Sequence, residues 1–229
     1  MVPFPATSWS LVVALGLRPT AASRDALAKL CHAYWYPLYA HIRRCGYDSD
    51  QAQDLTQEFF TYLLEHRSLE QVSKEKGRFR SFLLAALKHF LANQRDMEQA
   101  QKRGGRHVIL PLEFDSAEGR FRLDPGHDET PEKIFERQWA LTLLEHVMNG
   151  LAATKNFDQL KPYLTASSPQ LPYRALAAQL GIDEASVKLA VHRLRRRFRD
   201  LLRAEIMHTV ESSDQVDDEI RYLFSLLSG

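Results

Sequence analysis

Residues 180–203 read "LGIDEASVKLAVHRLRRRFRDLLR", a segment in which six arginines and one lysine accompany a regular apolar stripe. Apolar residues recur at steps of three and four, which predicts an amphipathic α-helix with one face in a core. These residues are Val187, Ala190, Val191, Leu194, Phe198 and Leu201. Asp183 suits the N-cap of this helix, and Gly181 suits the turn before it. The cations, Arg195 and Arg199 among them, are therefore predicted to point toward solvent.

A second amphipathic segment, "LPYRALAAQLG" at residues 171–181, precedes this helix and ends at the same glycine. Two helices joined by a short turn that contains glycine are typical of a helix-turn-helix, whose second helix enters the DNA major groove. Between Arg174 and Arg203 there are eight cations and three anions, whereas the formal net charge of the whole chain is only +1. This local excess favours DNA binding over the alternative, a solvated basic helix in a bundle that binds no nucleic acid.

The composition indicates a globular intracellular protein. Of the 229 residues, 45% are hydrophobic and 26% are charged, which gives one large or two small domains enough apolar surface for a core. The two cysteines, Cys31 and Cys45, match no compact zinc motif and are predicted to be buried structural thiols. The apolar run "LVVALGL" at residues 11–17 is too short to span a membrane. We therefore expect a cytoplasmic protein without a membrane span, a metal or a cofactor.

Helical periodicity covers the chain outside residues 104–130, which are rich in glycine, proline and acid and predict a linker. We expect an all-α fold of two helical domains joined by a flexible linker, with a helix-turn-helix as the C-terminal domain. The only strand signal is "VILPLEF" at residues 108–114. Helices are predicted at residues 8–15, 22–44 with a kink near Pro37, 48–66, 78–102, 131–150, 157–163, 171–179, 184–208 and 216–227.

The predicted helix at residues 48–66 is acidic. No lysine or arginine occurs between Arg44 and Arg67, while five carboxylates do. Opposite its apolar stripe, the helix presents polar and acidic side chains: Asp54, Gln57, Glu58, Thr61 and Glu65. Such a face suits a protein partner with a basic contact surface, and an ordinary solvated face is the alternative.

The following helix has the opposite charge. Residues 67–106 contain ten cations and four anions. Polar and basic side chains are expected around the exposed side of this helix: Arg80, Lys88, His89, Asn93, Arg95, Lys102 and Arg103. Together with the polar loop "HRSLEQVSKEKG" at residues 66–77, this surface suits single-stranded DNA, because cations bind phosphates and a loop pocket holds an unstacked base.

The order of these parts resembles the extracytoplasmic function group of bacterial sigma factors. The resemblance is carried by "DLTQEFF", "GRFRSFLLAALKHFLAN" and "YRALAAQLGIDEASVKLAVHRLRRRFR", and it covers residues 22–105 and 131–203. It implies a domain at residues 1–105 that binds core polymerase and melts the minus-ten element. It further implies a linker at 106–130, a helix-turn-helix domain at 131–208 and an acidic tail with an amphipathic helix at 209–229.

The resemblance also implies roles for particular residues. Docking on the β′ clamp of core RNA polymerase would use Asp54, Gln57, Glu58 and Thr61. Recognition and melting of the minus-ten element would use Arg78, Arg80, Lys88, His89, Asn93 and Arg95. Binding of the minus-thirty-five element would use Ser186, Lys188, His192, Arg193 and Arg196. The β flap of the polymerase and an anti-sigma factor or other regulatory protein are further candidate partners.

Two alternatives stay open at this point. The last helix, at residues 216–227, either completes a core or packs on one domain and holds both in an arrangement less competent for DNA. The alternative function is a stand-alone helix-turn-helix regulator acting without core polymerase, although such regulators usually bind as dimers. We do not expect an enzyme, because the acids lie along a helix and not in a compact metal-binding cluster.

Overall fold

The computed structural model describes residues 21–65, 79–100, 117–123, 129–164, 171–207, 209–210 and 212–228. Within these ranges the fold is all-α and contains no strand, so the predicted fold class is confirmed. The α-helices are α1 (Ala21–Arg44), α2 (Ser49–Glu65), α3 (Phe79–Ala100), α4 (Ala117–Leu123), α5 (Pro131–Leu151), α6 (Phe157–Leu160), α7 (Tyr173–Leu180), α8 (Glu184–Met207) and α9 (Val216–Leu227). The predicted helix at 8–15 and the segment "VILPLEF" lie outside the described residues.

Most helices begin and end within two residues of their predicted bounds. The agreement is close because each of these helices buries one face, and a buried face is what periodicity detects. The predicted helix at 157–163 instead divides into α6 and a 3₁₀ turn at Lys161–Tyr163. Pro162 accounts for the change, because it lacks the backbone N–H that an α-helix would use at that position.

The chain forms two compact units. One consists of residues 2–142 and 206–229, and the other of residues 143–205. The boundaries of the units fall inside α5 and α8. The domain bounds expected from the sequence, at residues 131–208 for the helix-turn-helix domain, stay a prediction. The C-terminal helix α9 consequently belongs to the same unit as α1, α2 and α3.

The core of the unit formed by residues 2–142 and 206–229 is rich in aromatic side chains. Tyr34 of α1 meets Phe79 of α3 edge-on, and Phe59 of α2 lies against Phe90 of α3, with ring centroids 5.5 and 5.6 Å apart. Burial of each such side chain contributes about 1.5–3 kcal/mol. The fully buried Trp139 of α5 and Leu223 of α9 belong to the same unit, so segments from both ends of the chain stabilise it.

Helix α4 lies within the segment that the sequence predicted as a flexible linker. Its Glu118 accepts hydrogen bonds from Arg43 of α1 at 3.0 and 2.9 Å and from the hydroxyl of Tyr39 at 2.9 Å. The Arg43 guanidinium holds the pKa of Glu118 at about 2. The prediction of a linker without helix is therefore wrong at residues 117–123. Helix α4 bonds to Arg43, which lies 75 positions from Glu118, and the local periodicity of a sequence does not reveal a contact between such distant residues.

Candidate nucleic-acid interface

The unit of residues 143–205 places one face of α8 in a core and leaves the opposite face exposed. The core combines side chains from α5 to α8: Leu151, Leu160, Tyr163, Leu176, Ala177, Val187, Val191 and Leu194. Tyr163 stacks on Tyr173 with ring centroids 5.3 Å apart, and its hydroxyl donates to the carbonyl of Leu171 at 2.7 Å. The apolar stripe predicted for α8 is therefore the face that this unit buries.

Gly181 forms the turn between α7 and α8. Its φ of 65° lies in the left-handed region, which costs a residue with a side chain roughly 1–2 kcal/mol and costs glycine nothing comparable. The N–H groups of Gly181 and Ile182 both donate to the carbonyl of Ala177, which ends α7. Helix α8 begins at Glu184, so two helices and a short glycine turn occur in the predicted order.

Asp183 caps α8. Its carboxylate accepts hydrogen bonds from the backbone N–H of Ser186 at 2.8 Å and from the Ser186 hydroxyl at 2.5 Å. These bonds lower the pKa of Asp183. The cap fixes where α8 begins, and it also engages the hydroxyl of Ser186, a residue that the resemblance assigned to DNA.

The exposed face of α8 carries all the residues predicted to bind the minus-thirty-five element, namely Ser186, Lys188, His192, Arg193 and Arg196. The Nζ atom of Lys188 lies 2.7 Å from Oε1 of Glu184, and the Nε atom of Arg196 lies 3.9 Å from Oδ2 of Asp200. The bond to Glu184 raises the pKa of Lys188. Exposed pairs of this kind are worth about 0–1 kcal/mol, so a DNA phosphate can displace either carboxylate at little cost.

Of the five residues predicted to bind the minus-thirty-five element, His192 and Arg193 make no hydrogen bond or ion pair with another described residue. An arginine without a protein partner offers five N–H donors in a planar fork, which fits a phosphate or the O6 and N7 atoms of guanine. Arg193 is therefore the predicted residue whose geometry best suits a DNA contact.

Two other arginines of α8 bond to the fold. Arg195, predicted to point toward solvent, is half-buried, and its Nε donates to the carbonyl of Tyr163 at 2.8 Å. Arg197 donates to the hydroxyl of Thr154 at 3.3 Å. The cations counted from the sequence thus include residues that form hydrogen bonds within the unit of residues 143–205. A count of charges does not distinguish these residues from the cations that only face solvent.

The exposed side of α3 carries four residues predicted to bind the minus-ten element, namely Lys88, His89, Asn93 and Arg95. The Nζ atom of Lys88 lies 2.7 Å from Oε1 of Glu132 in α5. This hydrogen bond lowers the pKa of Glu132 to about 2. The Nε atom of Arg95 donates to the hydroxyl of Tyr47 at 3.1 Å. Arg78 lies outside the described residues.

Arg80 was predicted on this exposed side, and that prediction is wrong. Its side chain is 2% exposed. Residue 80 lies on the same stripe of α3 as Leu83 and Leu87, both fully buried, so the helix turns Arg80 inward. The spacing is visible in the sequence, but arginine side chains are rarely fully buried, so the stripe alone does not predict that Arg80 faces inward.

The guanidinium of Arg80 is enclosed by charge and by aromatic rings. Its Nε atom donates to Glu136 of α5 at 2.5 Å, and its Nη1 atom pairs with Glu219 of α9. The rings of Trp139 and Tyr222 cover it, with centroids 4.3 and 5.0 Å from Cζ. Arg80 is therefore a buried cation paired with two carboxylates, and nothing in this arrangement presents it to DNA.

Helix α2 has a reciprocal cap at its first turn. The Asp48 carboxylate accepts a hydrogen bond from the backbone N–H of Gln51 at 2.8 Å, and the Gln51 side chain accepts one from the Asp48 N–H at 3.2 Å. This pairing satisfies two backbone donors that a helix start leaves without partners. The cap therefore fixes the residue at which α2 begins, and with it the residues that share the polar face of the helix.

All four residues predicted to bind polymerase are spaced to share one face of α2. Asp54, Gln57, Glu58 and Thr61 follow one another at steps of three, one and three residues, with Asp54 exposed and the other three half-buried. The Glu58 carboxylate also accepts a hydrogen bond from Gln94 of α3 at 2.7 Å. Glu58 therefore contributes to the contact between α2 and α3, a role that the sequence did not indicate.

Comparisons of this chain with protein-family models, with curated proteins and with solved structures found no match.

No helix in the described part of the chain is long and apolar enough to cross a membrane. The same ranges contain no group of three or more metal-ligating side chains. Cys31 is buried and Cys45 half-buried, both as free thiols, and burial raises the pKa of Cys31 to about 12.

Proposed function

We propose that this chain is a sigma factor of the extracytoplasmic function type. It binds core RNA polymerase, directs it to promoters through the minus-thirty-five and minus-ten elements, and captures the melted strand. It acts in the cytoplasm, and it is not an enzyme.

The observation that carries this proposal is the exposed face of α8. The turn at Gly181 and the cap at Asp183 position the start of α8, and its apolar stripe fixes which face stays outside. That outer face presents His192 and Arg193 without partners among the described residues, next to Lys188 and Arg196 in weak exposed pairs. A basic helix of this kind fits the width of the major groove, about 12 Å.

The unit of residues 2–142 and 206–229 supports the choice of a polymerase subunit over a simple DNA-binding protein. On α2, Asp54 extends from a polar face that has no lysine or arginine, which repels DNA phosphates and favours a protein surface of positive charge. On α3, Lys88 and Arg95 are exposed and suit a nucleic-acid backbone. A stand-alone regulator explains α8 but gives neither surface a role.

Strand separation in this proposal is driven by binding. Capturing an unstacked base costs a few kcal/mol, which contacts to phosphates and stacking on aromatic side chains offset. Lys88 is available for such a contact because its pair with Glu132 is half-exposed, with 52% of the Lys88 side chain accessible. Arg80 is given no part in capture while it stays buried between α5 and α9.

The proposal is tested by assembly with purified bacterial core polymerase, measured by gel filtration of the full chain with and without the core enzyme. We expect a complex that Asp54→Lys weakens at least tenfold, because a cation on α2 would face the basic partner surface. Asp158→Lys, which makes the same charge change at an exposed residue of α6, is the matched control.

A chain that binds duplex DNA through α8 but never associates with core polymerase would overturn the proposal. That result would favour the stand-alone regulator. Equal loss of assembly in Asp54→Lys and Asp158→Lys would show a general effect of charge, and it would remove α2 as the docking face.

A further inference from the structure

The outer face of α8 also has an apolar patch at its beginning. Leu189 is 49% exposed and Ile182, in the turn before the helix, is 42% exposed. Ala185, which lies between these two residues in the sequence, is also exposed. Ala185 and Leu189 are four residues apart and so lie on adjacent turns of the same side. The patch therefore occupies the end of α8 that follows the turn.

Single exposed apolar side chains are common on protein surfaces and need no explanation. This patch differs because cationic and polar residues surround it on the same face. Lys188, His192 and Arg193 are its exposed neighbours along α8. In a helix that enters the major groove, the N-terminal residues contact base edges. Leu189 is therefore an apolar group on the part of the face that reaches the bases.

Base-pair edges in the major groove offer one apolar group to such a side chain. Guanine, cytosine and adenine present hydrogen-bond donors and acceptors there, whereas thymine also presents its C5-methyl group. A leucine cannot form a hydrogen bond with a base edge or a phosphate. Burial of its side chain against a thymine methyl removes apolar surface of both from water.

We propose that Leu189, with Ala185 beside it, reads a thymine methyl group in the minus-thirty-five element. This inference rests on the proposed function and adds to it a residue that determines sequence specificity. Leu189 and Arg193 lie four residues apart, about 6 Å along the helix axis, which corresponds to between one and two base-pair steps. The thymine is therefore within about two base pairs of the contact that Arg193 makes.

The test begins with duplexes selected from a random pool by the full chain assembled with bacterial core polymerase, after subtraction of duplexes that core alone retains. Each thymine of the selected minus-thirty-five element is then replaced, one at a time, by deoxyuridine, which lacks only the methyl group. We expect one replacement to weaken binding about three- to fivefold, the effect of one buried methyl group.

Leu189→Ala is expected to weaken binding to the thymine duplex by a similar factor and to be insensitive to the deoxyuridine replacement. Met207→Ala, a change at an exposed apolar residue near the other end of α8, should keep the full response to deoxyuridine. Neither residue belongs to the buried core, since Leu189 is 49% and Met207 40% exposed.

Unchanged binding of the wild-type chain to every deoxyuridine duplex, or a selected element without thymine, would overturn the inference and leave the proposed function intact. A deoxyuridine effect that persists in Leu189→Ala would assign the methyl contact to another residue and also overturn it. Failure of the chain to assemble with core polymerase, or to select any sequence, would contradict the proposed function itself.

Discussion

Arg80 of α3 and Glu219 of α9 form a buried ion pair across 139 positions of sequence, with 2% and 0% of their side chains exposed. The pair joins the C-terminal helix to the helices of the N-terminal half. Both predictions for the last helix, that it completes a core and that it packs on one domain and limits DNA binding, would produce this contact. That α9 limits DNA binding therefore stays a prediction.

Glu219→Ala is expected to destabilise the unit of residues 2–142 and 206–229 by about 3 kcal/mol. This is the lower end of the range for breaking a buried pair, since Glu136 still neutralises Arg80. Denaturant unfolding followed by circular dichroism measures the change. Asp218→Ala, at the exposed neighbouring position, is the control and should change stability by less than about 0.5 kcal/mol. Equal stability of the two variants would show that the Glu219 pair contributes nothing.

The helices were predictable from the sequence because their information is local. The apolar stripe of α8 predicts a helix, and Gly181 predicts the turn before it. Neither prediction needs information about a residue that is distant in sequence. The positions of Asp54, Lys88 and Arg193 on exposed faces follow from the same periodicity. The surface of the candidate site could therefore be located before the structure was known.

The partners of charged residues were not predictable in this way. Arg80 pairs with residues 56 and 139 positions away, and Glu118 with one 75 positions away. Arg195 bonds to a backbone carbonyl, which no side-chain pattern encodes. Each of these contacts depends on which helices pack together, and single-sequence periodicity does not determine that.

Glu118→Gln is expected to lower the thermal stability of the chain at neutral pH and to flatten its acid dependence. Hydrogen bonds from Arg43 hold the pKa of Glu118 at about 2, below the ordinary value of 4.5. The stabilisation is therefore complete above about pH 4.5 and is lost as the pH falls through about 2. Melting temperatures between pH 7 and pH 2 check this, with Asp96→Asn as the exposed control. Parallel curves for wild type and Glu118→Gln would contradict it.

Glu205→Gln is expected to have the opposite pH dependence. Burial raises the pKa of Glu205 to about 7 from 4.5, so the folded chain binds this proton more tightly than the unfolded chain. The favourable contribution is complete below about pH 4.5 and is lost as the pH rises through about 7. The variant should therefore melt at a higher temperature than wild type at pH 8 and at nearly the same temperature at pH 4.5. Asp158→Asn is the control, and a difference that is constant with pH would exclude this role.

Arg193→Ala and Arg195→Ala should separate DNA binding from folding. Loss of Arg193 is expected to weaken promoter binding by about 1–3 kcal/mol if it contacts a base, or to reduce the salt slope by about one if it contacts a phosphate. Its melting temperature should not change, because Arg193 is exposed. Arg195→Ala should lower the melting temperature, since it breaks the bond to Tyr163. Binding titrations at several salt concentrations and thermal melts of both variants test this, and identical behaviour of the pair would refute the assignment.

The most direct test of the sigma-factor proposal is transcription in vitro with bacterial core polymerase on a library of genomic fragments, with mapping of RNA start sites. We expect discrete start sites that require this chain and that disappear with Arg193→Ala and with Asp54→Lys. Core polymerase that initiates normally with its own sigma factor, yet gains no start site from this chain, would contradict the sigma-factor proposal.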